Sequence, residues 1–256
     1  MHDINQIPKE KTLIIFDLDG TLTESKSEMD SEMAGLFEKL LGKKKIAVIG
    51  GGRYEQFQIQ ILGKLGAWET YLKNLFLFPL TATSFYKYIE GQWQCIYSMD
   101  FSEEEKKKIF DAFEKTFTEL NYHPEDAYQN VVEDRGSEIT FSALGQNAPL
   151  DLKEEWKKES GELKIKILKI LQNYLPEMEV RAAGYTSIDI TRKGIDKEYG
   201  INQIKIRLGI DFTDMLFVGD ALFVGGNDSA ALRTGIQCFE VESVEDTKKL
   251  IRYILE

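Results

Sequence analysis

Two residue types that carry much of protein chemistry are nearly missing from this chain of 256 residues. It has two cysteines, Cys95 and Cys238, and two histidines, His2 and His123. A widely separated cysteine pair supports neither a disulfide framework nor a zinc site, and it suits a reducing compartment. So few histidines exclude a catalytic scheme that needs a pair of them. No apolar run approaches the length of a membrane span, and the opening MHDINQIPKEK has no apolar core of a secretory signal. Positive charge is also scarce: 32 Lys and Arg stand against 43 Asp and Glu, a net charge of -11. That balance argues against nucleic acid or an anionic membrane as partner. No Walker A or GxGxxG loop follows a strand, which argues against a plain nucleotide-binding module. Internal repeats and low-complexity tracts are lacking too. The expectation is a soluble, cytoplasmic protein acting on a small molecule.

What is present is an ordinary globular composition, 43% apolar and 29% charged, long enough to bury a substantial core. Residues 12–17 form a short apolar run, read as a buried parallel strand. Met29, Met33, Leu36, Phe37 and Leu40 follow at helical spacing, with Gly42 as a stop. A second buried strand, Ile46–Ile49, runs into Gly50-Gly51-Gly52-Arg53, and Tyr54, Phe57, Ile61 and Leu65 then mark another helix. After about residue 82 the pattern changes. Trp93, Cys95 and Tyr97 alternate, as do Ile139 and Phe141. Ser102-Glu103-Glu104-Glu105 is a capping box opening a helix with Phe110, Phe113, Phe117 and Leu120 on it, and Leu163, Ile167, Leu168 and Leu171 mark a second. Phe85, Tyr86 and Trp93 read as the interior of this middle block. From about residue 190 the first pattern returns, with a helix near 198–208, a strand Met215–Val218 and a last strand Cys238–Val241. The fold class is therefore α/β, a parallel-sheet core over 1–82 and 191–256 interrupted by an α+β cap over 83–190.

The stretch TLIIFDLDGTLTES, from Thr12 to Ser25, carries the chemistry. Its apolar run empties into Asp17 and Asp19. Charged groups at the end of a buried strand cost free energy unless something offsets them. An ordinary turn exit would explain either acid alone. Parallel sheets, however, gather ligands at the carboxyl ends of their strands, and three such ends here are polar: Asp17/Asp19, the Gly50–Gly52 turn, and Gly219-Asp220. Asp17 and Asp220 could share a Mg²⁺, which prefers oxygen ligands.

Asp17-Leu18-Asp19-Gly20-Thr21-Leu22-Thr23 resembles the DxDGT nucleophile loop of the haloacid-dehalogenase superfamily, with Lys197 and Gly219-Asp220…Asn227-Asp228 in support. Within its capped sugar-phosphatase branch, the chain is most similar to the eukaryotic-type phosphomannomutases, through DGTLT, GIDKEYGI (194–201), GDALFVGGND (219–228) and SVEDTKKL (243–250). The resemblance implies a three-layer Rossmannoid core with an inserted cap. It further implies that Asp17 attacks phosphorus and that Asp19 is the general acid and base. Lys197 would neutralise the phosphoryl group. Mg²⁺ would be held by Asp17, Asp19 (through its carbonyl) and Asp220, with Asp228 in support. Phosphate and sugar contacts are implied for Thr21, Lys26, Gly51, Gly52, Arg135, Lys153, Ser187 and Asp189, with Arg181 as a further cation. Pairing of two copies through the cap is compatible with it.

Two departures bear on the reaction. Gly52-Arg53 stands where phosphomannomutases carry Ser-Asp, so backbone N–H groups would have to serve the phosphate there. Arg53 either contributes charge or simply starts its helix. In the cap, Arg135 matches an expected arginine, but Gln146 and Lys153 replace two others, and Lys26 replaces one in the core loop. Lysine keeps charge without the planar fork, and glutamine has neither. These losses tilt the expectation toward a Mg²⁺-dependent sugar-phosphate phosphatase, with phosphomannomutase as the alternative and a noncatalytic sugar-phosphate sensor as a third reading.

Overall fold

The computed structural model describes residues 4–66, 69–125 and 128–256, and its chain divides into two compact units, 1–98 with 195–256 and 99–194. Along the chain the larger unit begins with β1 (Leu13–Asp17), α1 (Ser31–Leu41), β2 (Lys45–Ile49), α2 (Tyr54–Gln60), β3 (Leu75–Phe78) and the hairpin β4 (Ser84–Ile89) and β5 (Gln92–Ser98). The smaller unit holds α3 (Glu103–Glu119), β6 (Val132–Asp134), β7 (Glu138–Ser142), α4 (Leu150–Tyr174), β8 (Met178–Ala183) and β9 (Ser187–Arg192). The chain then returns through α5 (Lys197–Leu208), β10 (Met215–Gly219), β11 (Gln237–Glu240) and α6 (Val244–Leu255).

The larger unit is built on one seven-stranded sheet in the order β11-β10-β1-β2-β3-β4-β5. Its first five strands are parallel, and the hairpin adds two antiparallel strands at the edge. The apolar runs read from the sequence are continuous because both faces are covered. Alternate residues go to opposite sides. Ile14, Phe16, Ile46, Val48, Leu216 and Val218 pack with Met33, Phe37, Leu250 and Ile251 from α1 and α6. Leu13, Ile15, Ala47, Ile49 and Phe217 pack with Ile201 and Ile204 from α5. Asp17 has the parity of Leu13 and Ile15, so β1 delivers its carboxylate to the side where α5 begins.

The expected junctions at 82/83 and 190/191 differ from the observed ones. Trp93, Cys95 and Tyr97 alternate along β5 as anticipated, but β5 pairs with β4 and β4 with β3, so the hairpin extends the core sheet instead of the cap. Phe85 stacks on Phe78 at 4.5 Å, Tyr86 stacks on Tyr54 at 3.8 Å, and Trp93 packs against the α1/α6 side of the sheet. Alternation identifies a half-buried strand but not its partner. Here the five residues between β3 and β4 bring the hairpin straight back to the nearest open edge.

That connection is itself unusual. Leu80, Thr81 and Ala82 all have positive φ, a left-handed turn without glycine. Such backbone persists where surrounding bonds over-determine it. Leu80 and Thr81 donate their N–H groups to the carbonyls of Gly52 (3.0 Å) and Gly50 (2.9 Å), and the Tyr97 hydroxyl donates to the Ala82 carbonyl at 2.6 Å. The turn thus ties the hairpin to the glycine loop after β2.

The smaller unit is a four-stranded antiparallel sheet, β6-β7-β9-β8, with α3 and α4 packed on one face through Ile109, Phe113, Phe141, Ile167, Leu171, Ile188 and Ile190. Ser102 caps α3 in the box read from the sequence, its hydroxyl accepting from the Glu105 N–H at 3.2 Å. The opposite face carries the intervening side chains of β7 and β9, among them Glu138, Thr140, Ser187 and Asp189. No helix among the described residues is long and apolar enough to cross a membrane.

Candidate active site

At the carboxyl end of β1, Asp17 is buried, and its Oδ1 accepts a hydrogen bond from the Lys197 ammonium. The same ammonium donates to the Ile49 carbonyl at the end of β2 (3.1 Å) and lies 3.0 Å from Asp228 Oδ1. Lys197 is the first residue of α5, and the Asp196 side chain caps that helix by accepting from the Tyr199 N–H at 3.0 Å. A cation in the first turn opposes the helix macrodipole. Its position is explained by the two carboxylates it serves, not by helix stability.

Asp220 follows β10 and completes an acidic group: one oxygen from each of Asp17, Asp220 and Asp228 lies within 4.8 Å of the others. Thr21 is fully buried, with Oγ1 3.5 Å from Asp220 Oδ1. Gly20 sits at φ 81°, and a Cβ there would run into the Asp220 carboxylate. The glycine of the DGT triplet is thus required twice, by backbone conformation and by the approach of the acid.

Electrostatics follow from burial and charge count. Burial pushes the Asp17 carboxyl up to about 7; Lys197 opposes the rise, and Asp228 and Asp220 add to it. Asp220 is also raised, first by burial and then by Asp228. Burial pulls Lys197 down, but Asp17 and Asp228 outweigh it and hold its pKa above the usual lysine value. Three carboxylates facing one ammonium leave the cluster negative. Clustered hard oxygen donors, and a glycine that makes room for one of them, fit Mg²⁺.

Asp19 stands apart from this acidic group. Its Oδ1 accepts from the backbone N–H of Lys26 (2.7 Å) and from Gln60 Nε2 (3.0 Å). Of the residues proposed as metal ligands, Asp17, Asp220 and Asp228 offer side-chain oxygens to one place, whereas the Asp19 carboxylate is tied to the loop that follows it. Lys26 is exposed, at φ 56°. Gly51 is exposed and Gly52 half-buried in the turn after β2, where a Cβ on Gly52 would strike the Gln56 carboxamide. Arg53 is the N-cap residue of α2, with its N–H on Gln56 Oε1 at 3.1 Å, so it does start its helix.

Within the smaller unit, the polar sheet face is a network. Arg135 donates to Glu133 and Glu138, each at 3.0 Å. Thr140 bridges Glu138 (3.1 Å) and Asp189 (2.8 Å) through Oγ1. Arg181 reaches the Thr191 hydroxyl at 3.3 Å, and Lys153 donates to the Gln146 carbonyl at 2.7 Å. Ser187 pairs with Ser142 across β7 and β9. Arg135 and Asp189 therefore belong to one network. Neither Glu138 nor Thr140 was singled out in the sequence, although both share the β7 face opposite Ile139 and Phe141.

Burial raises the Glu138 carboxyl to about 7, Asp189 adds to the rise, and Arg135 opposes it. A folded-state pKa above the unfolded one means that folding favours the protonated acid. Stability contributed this way is present below about pH 4.5 and is lost as pH rises toward 7. The melting-temperature gap between Glu138→Gln and wild type is expected to move in favour of the variant between pH 5 and pH 8, by a few degrees. A pH-independent gap would show that Glu138 is not held in this way.

These features can be set beside known proteins. A family model for haloacid dehalogenase-like hydrolases matches residues 14–233. The chain belongs to that family. Among curated relatives, a phosphomannomutase of Encephalitozoon cuniculi is 29% identical over 86% of this chain and 83% of its own. One of Spinacia oleracea is 26% identical over 94% of each, and phosphomannomutase 1 of Homo sapiens is 25% identical over 86% and 82%. Among solved structures, the IMP-nucleotidase of Plasmodium falciparum shares the fold at a TM-score of 0.67 and 17% identity, covering 98% of this chain and 70% of that one. A trehalose-6-phosphate phosphatase of Aspergillus fumigatus does so at 0.59 and 13%, covering 96% and 93%. The chain is thus an enzyme of the phosphatase or phosphomannomutase kind, with the parallel-sheet core and inserted second domain of its family. The named relatives favour the mutase over the hydrolase that the cap residues had favoured.

Proposed function

We propose that this protein transfers phosphoryl groups on hexose phosphates through Asp17, and that it works as a phosphomannomutase interconverting mannose 1-phosphate and mannose 6-phosphate. The similarity to phosphomannomutases over most of both chains carries the reading. The buried pairing of Asp17 with Lys197 supplies its chemistry.

Asp17 attacks phosphorus, forming an aspartyl-phosphate and splitting one difficult displacement into two. Lys197 holds Asp17 in place and offsets charge on the transferring group. Asp19 protonates the sugar oxygen as its bond to phosphorus breaks, and takes a proton from the hydroxyl that attacks next. Asp17, Asp220, Asp228 and the Asp19 carbonyl would hold Mg²⁺, which when bound supplies positive charge against the phosphoryl oxygens.

A sugar-phosphate phosphatase is the second reading, favoured by one observation. A mutase has to retain a phosphorylated intermediate, yet Arg135 already serves two carboxylates, and Gln146 and Lys153 replace two arginines. The two readings differ in whether a sugar hydroxyl or water takes the phosphoryl group from Asp17.

The experiment incubates the protein and Mg²⁺ with mannose 1-phosphate or glucose 1-phosphate, with and without hexose 1,6-bisphosphate. It follows hexose 6-phosphate and free phosphate together. Bisphosphate-dependent formation of the 6-phosphate with little phosphate release is the expected result. Phosphate release without isomerisation would replace the mutase by the phosphatase, and binding without turnover would leave the sensor.

A further inference from the structure

Gln60 ends α2 and is 2% exposed. Its Nε2 lies 3.0 Å from Asp19 Oδ1, 3.1 Å from Thr23 Oγ1 and 3.2 Å from the Ser27 carbonyl. The Ser27 carbonyl can only accept, and Asp19 Oδ1 already accepts from the Lys26 N–H, so the amide nitrogen has to face them; turned over, Oε1 would meet two acceptors. That orientation leaves Oε1 buried without a hydrogen-bond partner among the described residues. An unsatisfied buried acceptor is a cost that an apolar side chain at this place would not carry. The glutamine is there for its donor.

The donor acts on one oxygen of one carboxylate. Asp19 Oδ1 receives both Gln60 Nε2 and the Lys26 N–H. No donor among the described residues bonds Oδ2. The same Nε2 also lies within hydrogen-bond distance of Thr23 Oγ1 and the Ser27 carbonyl, on either side of Lys26, so its two N–H groups are shared among three acceptors of the loop from Asp19 to Ser27.

We propose that Gln60 is a positioning residue that pins Oδ1 of Asp19 and leaves Oδ2 as the oxygen that gives and takes the proton during phosphoryl transfer. As the phosphorus–sugar bond breaks and the Asp17–phosphorus bond forms, the proton on Oδ2 passes to the departing sugar oxygen. In the second half, Oδ2 takes a proton from the incoming hydroxyl. The inference rests on the role given to Asp19 above. It predicts a selective defect, because a sugar leaving group needs a proton and a nitrophenolate scarcely does.

The test measures single-turnover labelling of Asp17, with Mg²⁺ present, from mannose 1-phosphate and from p-nitrophenyl phosphate. Gln60→Met keeps the approximate volume and removes the donor. Its ratio of sugar to aryl labelling rates is expected to fall at least about 10-fold, within the 10²–10⁴ that general acid catalysis supplies. A merely structural role would lower both rates by one factor. Equal losses, or no loss, would overturn the proposal. Should Gln60→Met fail to fold, Gln60→Leu removes the same donor and gives the same comparison. Asp17→Asn separates the two levels: labelling that survives this change would overturn the reading on which the inference rests, whatever the ratio shows.

Discussion

Asp17→Asn is expected to lose turnover by about 10⁴-fold or more while remaining folded. The size follows from removing the group that forms the covalent bond, since a loss of this order is usual when a nucleophile is deleted. Folding should survive because the burial that makes Asp17 reactive also makes its charge unfavourable. The carboxyl is raised to about 7 by desolvation, with Asp228 and Asp220 contributing. Its folded pKa lies above its unfolded value of 3.8, so wild type loses this contribution as pH climbs from about 4 to 7. An amide of the same shape has no such loss, and its oxygen can still accept from Lys197. At pH 8 without added Mg²⁺, the variant should therefore melt no lower than wild type. Turnover of p-nitrophenyl phosphate and a melting curve check both parts. Activity within 10-fold of wild type would remove Asp17 from the nucleophilic role, and a collapsed melting curve would show that Lys197 needs a charged partner there.

Much of this site was legible because it is written in contiguous segments. Asp17, Asp19 and Gly20 lie within one loop whose backbone is dictated by the end of β1, and Asp220 is the residue directly after β10. Wherever a buried strand ends in an acid, parallel topology alone carries the acid to the sheet edge. Lys197 needed more. Nothing local distinguishes it from a surface lysine except its place in the first turn of α5, the wrong end of a helix for a cation. Gln60 had a comparable signal that went unused. It stands three residues after Phe57 on the face of α2 that packs inward, and a polar residue on such a face has to find a partner.

What sequence could not supply is the choice of partner between distant segments. The alternation of Trp93, Cys95 and Tyr97 marks a strand, as found at Gln92–Ser98, but the sheet that accepts it depends on which edge is free. Strands Met178–Ala183 and Ser187–Arg192 alternate as plainly, through Met178 and Val180 and through Ile188 and Ile190, and went unread within a block known only as mixed. The Arg135 network was missed for a more local reason. A single arginine invites comparison with phosphate-binding arginines, whereas its charge here is shared by Glu133 and Glu138. Those carboxylates lie two and three residues from Arg135 in the sequence, and the tight turn between β6 and β7 folds them round it.

Lys197→Met should cost the most stability of any single change at the site, about 3–5 kcal/mol, together with nearly all activity. Lys197, Asp17 and Asp228 are 3%, 4% and 0% exposed. Removing the ammonium leaves two buried carboxylates facing each other, with Asp220 beside them and without the cation that both had bonded. Methionine fills the space and is an equally good helix former, so the loss measures charge, not packing. The Ile49 carbonyl also gives up a donor. Unfolding in urea at pH 8, without metal, should show a lower midpoint at an unchanged slope. Millimolar Mg²⁺ supplies an independent check, because a cation held by the acidic group neutralises the charges that Lys197 had balanced. The stabilisation by Mg²⁺ is expected to be larger in Lys197→Met than in wild type, and to vanish when Asp220→Asn is added. A stability loss below about 1 kcal/mol would mean that the carboxylates are protonated or solvated in the folded chain. Equal Mg²⁺ effects in the two proteins would place the cation away from Asp17 and Asp228. Either result would break the link between the lysine, the acids and the phosphoryl group on which the mechanism depends.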